Sequence, residues 1–413
     1  MSTTARSGPG DRPALSRCIG IPIEEFAAHH WGRRALLSPA LDPDAFSDLF
    51  SADAVDELIA ERGLRTPFIR MAKEGSVLGP ATYTASGGFG AEVADQVSSD
   101  RVLAQFAAGA TIVLQGLHRM WPPLQHFTRQ LIAELGHPAQ VNAYVTPGSN
   151  RGFDPHYDVH DVFVLQVAGE KRWVVHEPVH ENPLADEPWS QHADAVAARA
   201  AGDPLIDTVL RPGDALYLPR GYIHSATALG GTTVHLTIGM PAFTGTDIAR
   251  ELVARAVRAP AVRGSLPLGV DVADPAALAA QVRAAADAVI AELSADPDAA
   301  ARRIAAALGD RFARMTRPEP LRPLAAIEAA EALGPESQVR WRAELRFRVL
   351  DEGDRVAIAL GERTIRLPGS ASEALRQLAE GTPVAVAALP GLDTADALVV
   401  VRRLIREGVL VPA

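Results

Sequence analysis

Hydrophobic and polar positions fall into three rhythms along this chain. Between 141 and 240, apolar and β-branched residues come in short runs broken by Gly and Pro, which is the mark of strands. Asp161-Val-Phe-Val-Leu-Gln-Val167 is one such run, residues 171–175 another, and Ala215-Leu-Tyr-Leu218 a third. Ala168-Gly-Glu170 reads as a hairpin turn between the first two. Upstream, residues 98–106 and 120–136 carry helical spacing and Thr111-Ile-Val-Leu114 reads as a strand. Pro22-Ile-Glu-Glu-Phe26 begins an amphipathic helix. Residues 177–203, rich in Pro, Ala and Asp, predict a long connection with a helix at 192–201, of the kind that serves as a lid or substrate loop.

From 245 to 335 the rhythm changes. Ala, Arg and Asp dominate, strand signals vanish, and Pro275 and Pro297 each stand where a helix can start. The last stretch returns to strands at Val356-Ala-Ile-Ala-Leu360 and Arg363-Thr-Ile-Arg-Leu367, around a Gly361-Glu362 turn. A helix from Ser372, another from Thr394 to Arg406, and Val409-Leu-Val411 follow, an order that suggests a winged helix. The predicted organisation is a disordered tail over 1–16, a β-rich domain over 17–244, a helical region over 245–340 and a winged-helix-like domain over 341–413, α+β in class.

Composition narrows the function. The 413 residues supply ample material for a core. One cysteine, Cys18, rules out an internal disulfide and fits a reducing, cytoplasmic compartment. No apolar run approaches the roughly 18 residues of a membrane span, and the first ten residues read as a polar tail rather than a signal peptide. A net charge of -10 argues against non-specific nucleic-acid binding and is compatible with a basic polypeptide partner. The last 73 residues, 341–413, balance ten Arg against ten Asp plus Glu, which favours a structural or protein-contact role over DNA reading.

The chemistry concentrates in two motifs, Asp154-Pro-His-Tyr-Asp158 and Gly213-Asp-Ala-Leu-Tyr-Leu-Pro-Arg-Gly-Tyr-Ile-His224. His156 and Asp158 are two apart, so an extended backbone projects both from one face. His224 is framed by Gly213, Pro219 and Gly221, turn residues that re-aim the chain. Two histidines and a carboxylate form the facial ligand set of a non-haem iron site with three positions open for cosubstrate and oxygen. A structural hydrogen-bonded His–Asp pair is the alternative, and it leaves the frame around His224 unexplained. The chain has only two lysines, Lys73 and Lys171. Lys171 falls 15 residues past His156, where an ammonium suits the distal carboxylate of a dicarboxylic cosubstrate. On a regular strand His160 shares the face of His156 and Asp158, as a pocket residue or as a packed histidine at the rim.

Asn142-Ala-Tyr-Val-Thr-Pro-Gly, Gly152-Phe-Asp-Pro-His-Tyr-Asp158, Asp161-Val-Phe-Val-Leu-Gln166 and Gly169-Glu-Lys-Arg-Trp173 resemble the JmjC oxygenases, most of all their ribosomal-oxygenase (cupin-4) branch. The resemblance covers roughly 140–240 sharply and the flanks by layout. It implies a double-stranded β-helix, a cupin/JmjC jelly roll, with a helical dimerisation region and a homodimer. It implies Fe(II), 2-oxoglutarate and O2 as cofactors, iron on His156, Asp158 and His224, and the 5-carboxylate of 2-oxoglutarate on Lys171. It implies Asn142 and Tyr144 in the substrate pocket, and hydroxylation of a histidine or arginine in a ribosomal or other polypeptide. Relatives acting on histidine carry a pocket serine after the distal histidine; Val234-His-Leu-Thr-Ile-Gly-Met-Pro241 has none. That keeps open a hydroxylase of a peptide or small natural product. A non-catalytic cupin-like binding protein and a methyl-lysine demethylase are further alternatives.

Overall fold

The computed structural model describes residues 12–73, 75–90, 92–148 and 154–413. The chain divides into two units, one ending at Ala242 and one beginning at Phe243.

In the first unit, two short helices, α1 (Pro13–Ser16) and α2 (Ile23–His29), lead into strand β1 (Leu36–Ser38). Then come α3 (Ala52–Ala60), β2 (Ile69–Lys73), β3 (Ser76–Val77) and a small ribbon of β4 (Thr84–Ala85) with β5 (Gln96–Val97). Next are α4 (Ser99–Ala107), β6 (Thr111–Leu114), α5 (Pro122–Leu135), β7 (Gln140–Thr146) and β8 (Asp161–His176). α6 (Ala193–Ala200), β9 (Ile206–Leu210), β10 (Ala215–Leu218) and β11 (Ile223–Met240) complete it. Among the described residues nine strands form one antiparallel sheet in the order β1-β10-β8-β11-β7-β6-β2-β3, with β9 also on β8. The first half of β8 lies between β10 and β11, and its second half between β9 and β11. One long strand pair thus serves two parts of a curled sheet, the arrangement of a jelly roll. The layer outside is aromatic: Phe26 of α2 stacks on Phe163 at 5.9 Å and meets Tyr217 edge-on at 5.0 Å. Phe26, Phe163 and Tyr217 are fully buried, and each such side chain contributes about 1.5–3 kcal/mol by leaving water.

Two expectations need correcting. The tail predicted over 1–16 is ordered at its end: α1 buries Ala14 and Leu15, whose backbone N–H groups donate to the Glu134 carboxylate at 3.1 and 2.7 Å. Residues 1–11 of that prediction, and Gly152 and Phe153 of the motif, lie outside the described residues. The hairpin at 168–170 is absent. β8 runs unbroken through it, with Gly169 at φ +66°. Opposite, β11 shifts register between Leu229 and Val234, and a Cβ on Gly169 would meet Thr232 O at 2.4 Å. Both strands bend together here, and a left-handed glycine gives the backbones room to approach.

The second unit opens with α7 (Gly245–Ala256), α8 (Pro275–Ala295), α9 (Pro297–Met315) and α10 (Pro323–Glu331). β12 (Gln338–Trp341) follows, then a meander of β13 (Arg348–Asp351), β14 (Arg355–Leu360) and β15 (Arg363–Pro368). α11 (Ser372–Leu378), β16 (Val384–Ala385), α12 (Thr394–Arg406) and β17 (Leu410–Pro412) close it, with β12 paired to both β16 and β17. Trp341, Ile358, Leu367, Leu375 and Leu404 share its core. Among the described residues no helix is long and apolar enough to cross a membrane.

Candidate metal and cosubstrate site

His156 and His224 meet as an isolated antiparallel bridge outside the long strands, exchanging backbone hydrogen bonds at 3.2 and 2.8 Å. Their rings lie 4.6 Å apart, and Asp158 Oδ2 is 3.8 Å from His224 Nε2. One ligand atom from each of the three falls within 4.8 Å of the others. The sequence spacing required this meeting, and the turn ahead of His224 delivers it. Gly221, at φ +90°, donates its N–H to Asp158 O at 3.0 Å; a Cβ there would meet His180 O at 2.8 Å. Buried Asp161 braces the same turn by accepting Arg220 N–H at 2.9 Å and Tyr217 O–H at 2.8 Å.

The donor set fits a divalent metal. His156 Nδ1 lies 2.7 Å from Asp154 O, and His224 Nδ1 lies 3.0 Å from Tyr222 O. A carbonyl can only accept, so each Nδ1 carries the proton and each Nε2 keeps its lone pair for a cation. Burial, then the neighbouring His156, holds His224 down at about 4, against the opposing pull of Asp158, so it is neutral at pH 7.

The three side chains open into a cavity of about 320 Å3 between the two parts of the sheet. Lys171 lies at its inner end. It is 3% exposed, its Nζ donates to Thr146 Oγ1 at 3.3 Å, and burial brings its pKa down to about 7. The bend at Gly169 is what admits it. Before the bend the even residues His160, Val162 and Val164 line the cavity; after it the odd residues Lys171 and Trp173 do. β11 contributes His224, Ser225 and Ala226 ahead of its register shift and the odd residues His235, Thr237 and Gly239 after it.

Asn142, Tyr144 and His160 line the cavity as well. Sequence reasoning missed His235, Thr146, Arg70 and Gln140. His235 is 3% exposed, stacks on Tyr144 at 5.1 Å and meets Trp173 edge-on at 5.5 Å. Burial, then the neighbouring Lys171, keeps its imidazole neutral. The signal for it was alternation: 235, 237 and 239 pair with 144, 142 and 140. The 177–203 connection lies against the metal cluster. Trp189 sits 6.4 Å from the His156 ring, and Tyr157 O–H donates to Glu187 O at 3.1 Å.

A model of the JmjC domain matches residues 118–248. Ribosomal oxygenase 1 of Gallus gallus is 32% identical over 217 residues, 52% of this chain and 34% of that protein. The bifunctional lysine-specific demethylase and histidyl-hydroxylase NO66 of Drosophila persimilis is 38% identical over 239 residues, 55% of this chain and 31% of that protein. The chain thus spans about a third of the length of these curated relatives. Among solved structures, E. coli ycfD superposes with a TM-score of 0.51 at 21% identity, over 95% of this chain and 98% of that one, a likeness of fold.

Proposed function

We propose that this chain, whose residues 118–248 match a model of the JmjC domain, is an Fe(II)- and 2-oxoglutarate-dependent oxygenase that hydroxylates a side chain of a polypeptide. One observation carries the reading: two imidazoles with Nδ1 committed to carbonyls and one carboxylate converge within 4.8 Å, in the same cavity as a buried lysine. His156, Asp158 and His224 hold iron, leaving positions for 2-oxoglutarate and oxygen. Lys171 takes the far carboxylate of 2-oxoglutarate. An amine brought down to about 7 by burial regains its charge when a carboxylate arrives beside it. Iron, 2-oxoglutarate and oxygen together supply the oxidising power for C–H hydroxylation, with succinate and CO2 as co-products. The chain itself orients the ligands, excludes water and fixes which substrate carbon is presented; Asn142 and Tyr144 belong to that wall.

The relatives' names, ribosomal oxygenase and histidyl-hydroxylase, support a ribosomal protein as substrate and histidine as the residue modified; arginine is the alternative that the sequence resemblance leaves open. A net charge of -10 favours such a basic partner. For the helical region, 245–340, we propose a homodimer contact: no residue of α8 is buried, and Val282 and Ile290 are 62% and 60% exposed. For 341–413 we propose a winged-helix-like module that contacts protein, since its charge is balanced.

The test is succinate release from 2-oxoglutarate by the Fe(II)-reconstituted protein, with and without ribosomes. Ribosome-stimulated release with a +16 Da product on one protein is the expected result. Absence of release under every condition, with iron bound, overturns the reading.

A further inference from the structure

The connection over 177–203, expected as a lid, packs on the reverse of the candidate metal ligands. Successive side chains of β11 alternate, so His224 faces the cavity and Ile223 faces away from it. Tyr157, between His156 and Asp158, joins Ile223 there. The two are 1% and 0% exposed, and Val196 of α6, itself 1% exposed, packs on both. Val196 is the residue that α6 buries, so this helix directs its apolar anchor onto the side chains lying directly beside all three ligands.

A second tie is polar. Tyr157 O–H donates to Glu187 O at 3.1 Å. The Glu187 carboxylate accepts Leu184 N–H at 2.8 Å and meets His180 Nε2 at 3.0 Å, and the His180 ring stacks on His192 at 4.7 Å. A third tie is steric. Gly221 donates its N–H to Asp158 O, and a Cβ on it would meet His180 O at 2.8 Å and Pro183 Cδ at 3.0 Å. The connection thus reaches the backbone on both sides of the site.

The ligand segment has little regular structure of its own. β8 begins only at Asp161, and His156 meets His224 at an isolated bridge of two hydrogen bonds. Such a bridge fixes how far apart two backbones lie. It does not fix how one rolls about the other, and each degree of roll moves His156 and Asp158 relative to His224. A tyrosine ring buried under Val196 opposes that roll.

We propose that Val196 and Tyr157 are positioning residues of the metal site: the connection is a brace, and metal binding and docking of α6 are one coupled equilibrium. The inference rests on the metal reading above. Linkage sets its form. If docking of α6 raises metal affinity by some factor, metal binding favours docking by the same factor. A segment that only stabilises the fold carries no such reciprocity.

The experiment measures Mn(II) binding by calorimetry and amide hydrogen exchange over 187–200, on the full chain stripped of metal beforehand. Val196→Ala should weaken Mn(II) binding about tenfold, as loss of a group that orients metal ligands does. Tyr157→Phe keeps the ring, loses the bond to Glu187 and should weaken binding about threefold. Val55→Ala, the same truncation at a buried position of α3, should lower the Tm and leave Mn(II) affinity within about twofold. Saturating Mn(II) should slow exchange of the α6 amides about tenfold in the wild type and leave it unchanged in His156→Ala. Unchanged Mn(II) affinity in Val196→Ala, α6 exchange indifferent to Mn(II), or an equal loss of affinity in Val55→Ala overturns the proposal. If the wild type binds no Mn(II), the metal reading falls and takes this one with it; wild-type binding that neither variant disturbs removes this one alone.

Discussion

Replacing Lys171 by Met separates a ligand-binding lysine from a structural one, because the two predict opposite signs. Met has similar length and no charge. In the wild type the Nζ is buried and donates to Thr146 Oγ1 at 3.3 Å, its single hydrogen bond to another described side chain. An ammonium carries three donors, and a buried donor left unmade costs about 1–3 kcal/mol. Removing the amine should therefore stabilise the ligand-free protein by about that much, raising Tm by about 2–4 °C per kcal/mol for a domain this size. The sign with pH follows. The folded pKa of about 7 lies below the ordinary 10.5, so between these values the unfolded chain binds more protons and wild-type stability rises with pH. The advantage of Lys171→Met should shrink over the same window. Binding of 2-oxoglutarate should move the other way: losing a charge-assisted hydrogen bond worth about 1.5–3 kcal/mol weakens affinity about 10- to 100-fold. Wild-type affinity should fall as pH rises above 7, since the amine must take up a proton to pair, and the variant should show no such slope. Thermal unfolding and calorimetry at pH 6, 7, 8 and 9 read all of this. A variant that loses stability and keeps its 2-oxoglutarate affinity refutes the assignment.

Three further outcomes are expected. His156→Ala or Asp158→Ala should abolish 2-oxoglutarate turnover, read as succinate, and retained turnover would remove them as ligands. Asp161→Ala strands the Tyr217 O–H and the Arg220 N–H, so it should cost about 2–4 kcal/mol in urea unfolding and weaken Mn(II) binding about 10- to 100-fold, because the turn it braces carries His224; an unchanged Mn(II) affinity would mean the turn holds without it. Gly169→Ala places a Cβ 2.4 Å from Thr232 O at φ +66° and should cost at least about 2 kcal/mol, with loss of 2-oxoglutarate binding; wild-type stability would show that the bend does not need glycine.

Local punctuation made some elements legible. Thr111–Leu114 and Ala215–Leu218 match their predicted bounds, because Gly109 and Gly116 flank the one while Gly213 and Pro219 flank the other. The two motifs brought His156, Asp158 and His224 forward, and the structure gathers the three within 4.8 Å; the first two stand ahead of β8, at an isolated bridge and the loop after it rather than on a strand, and a Gly-Pro turn returns the third. What failed was non-local. Residues 13–16 look like polar tail until Glu134, 119 residues on from Leu15, accepts their N–H groups. Ala168-Gly-Glu170 looks like a turn because turns use the same residues as bends, and the partner that distinguishes them, Thr232–Thr233, is more than 60 positions away.

That misread bend also decides the chemistry. Keeping one parity from His156 onward puts Lys171, an odd position, on the outer face of β8, away from the metal cluster. The lysine was singled out by rarity, and alternation alone would have rejected it. The slip at Gly169 reverses the parity of β8, and the shift between Leu229 and Val234 reverses that of β11 opposite. A bend in one strand alone would swing Lys171 inward against a neighbour whose side chains still pointed the old way. Because both reverse, Lys171 and His235 arrive in the cavity together, and the polar inner end is lined from two strands. The distance between the candidate metal ligands and the lysine is then set by strand rise, a rigid quantity, which suits the proposed role of holding both ends of one short dicarboxylate.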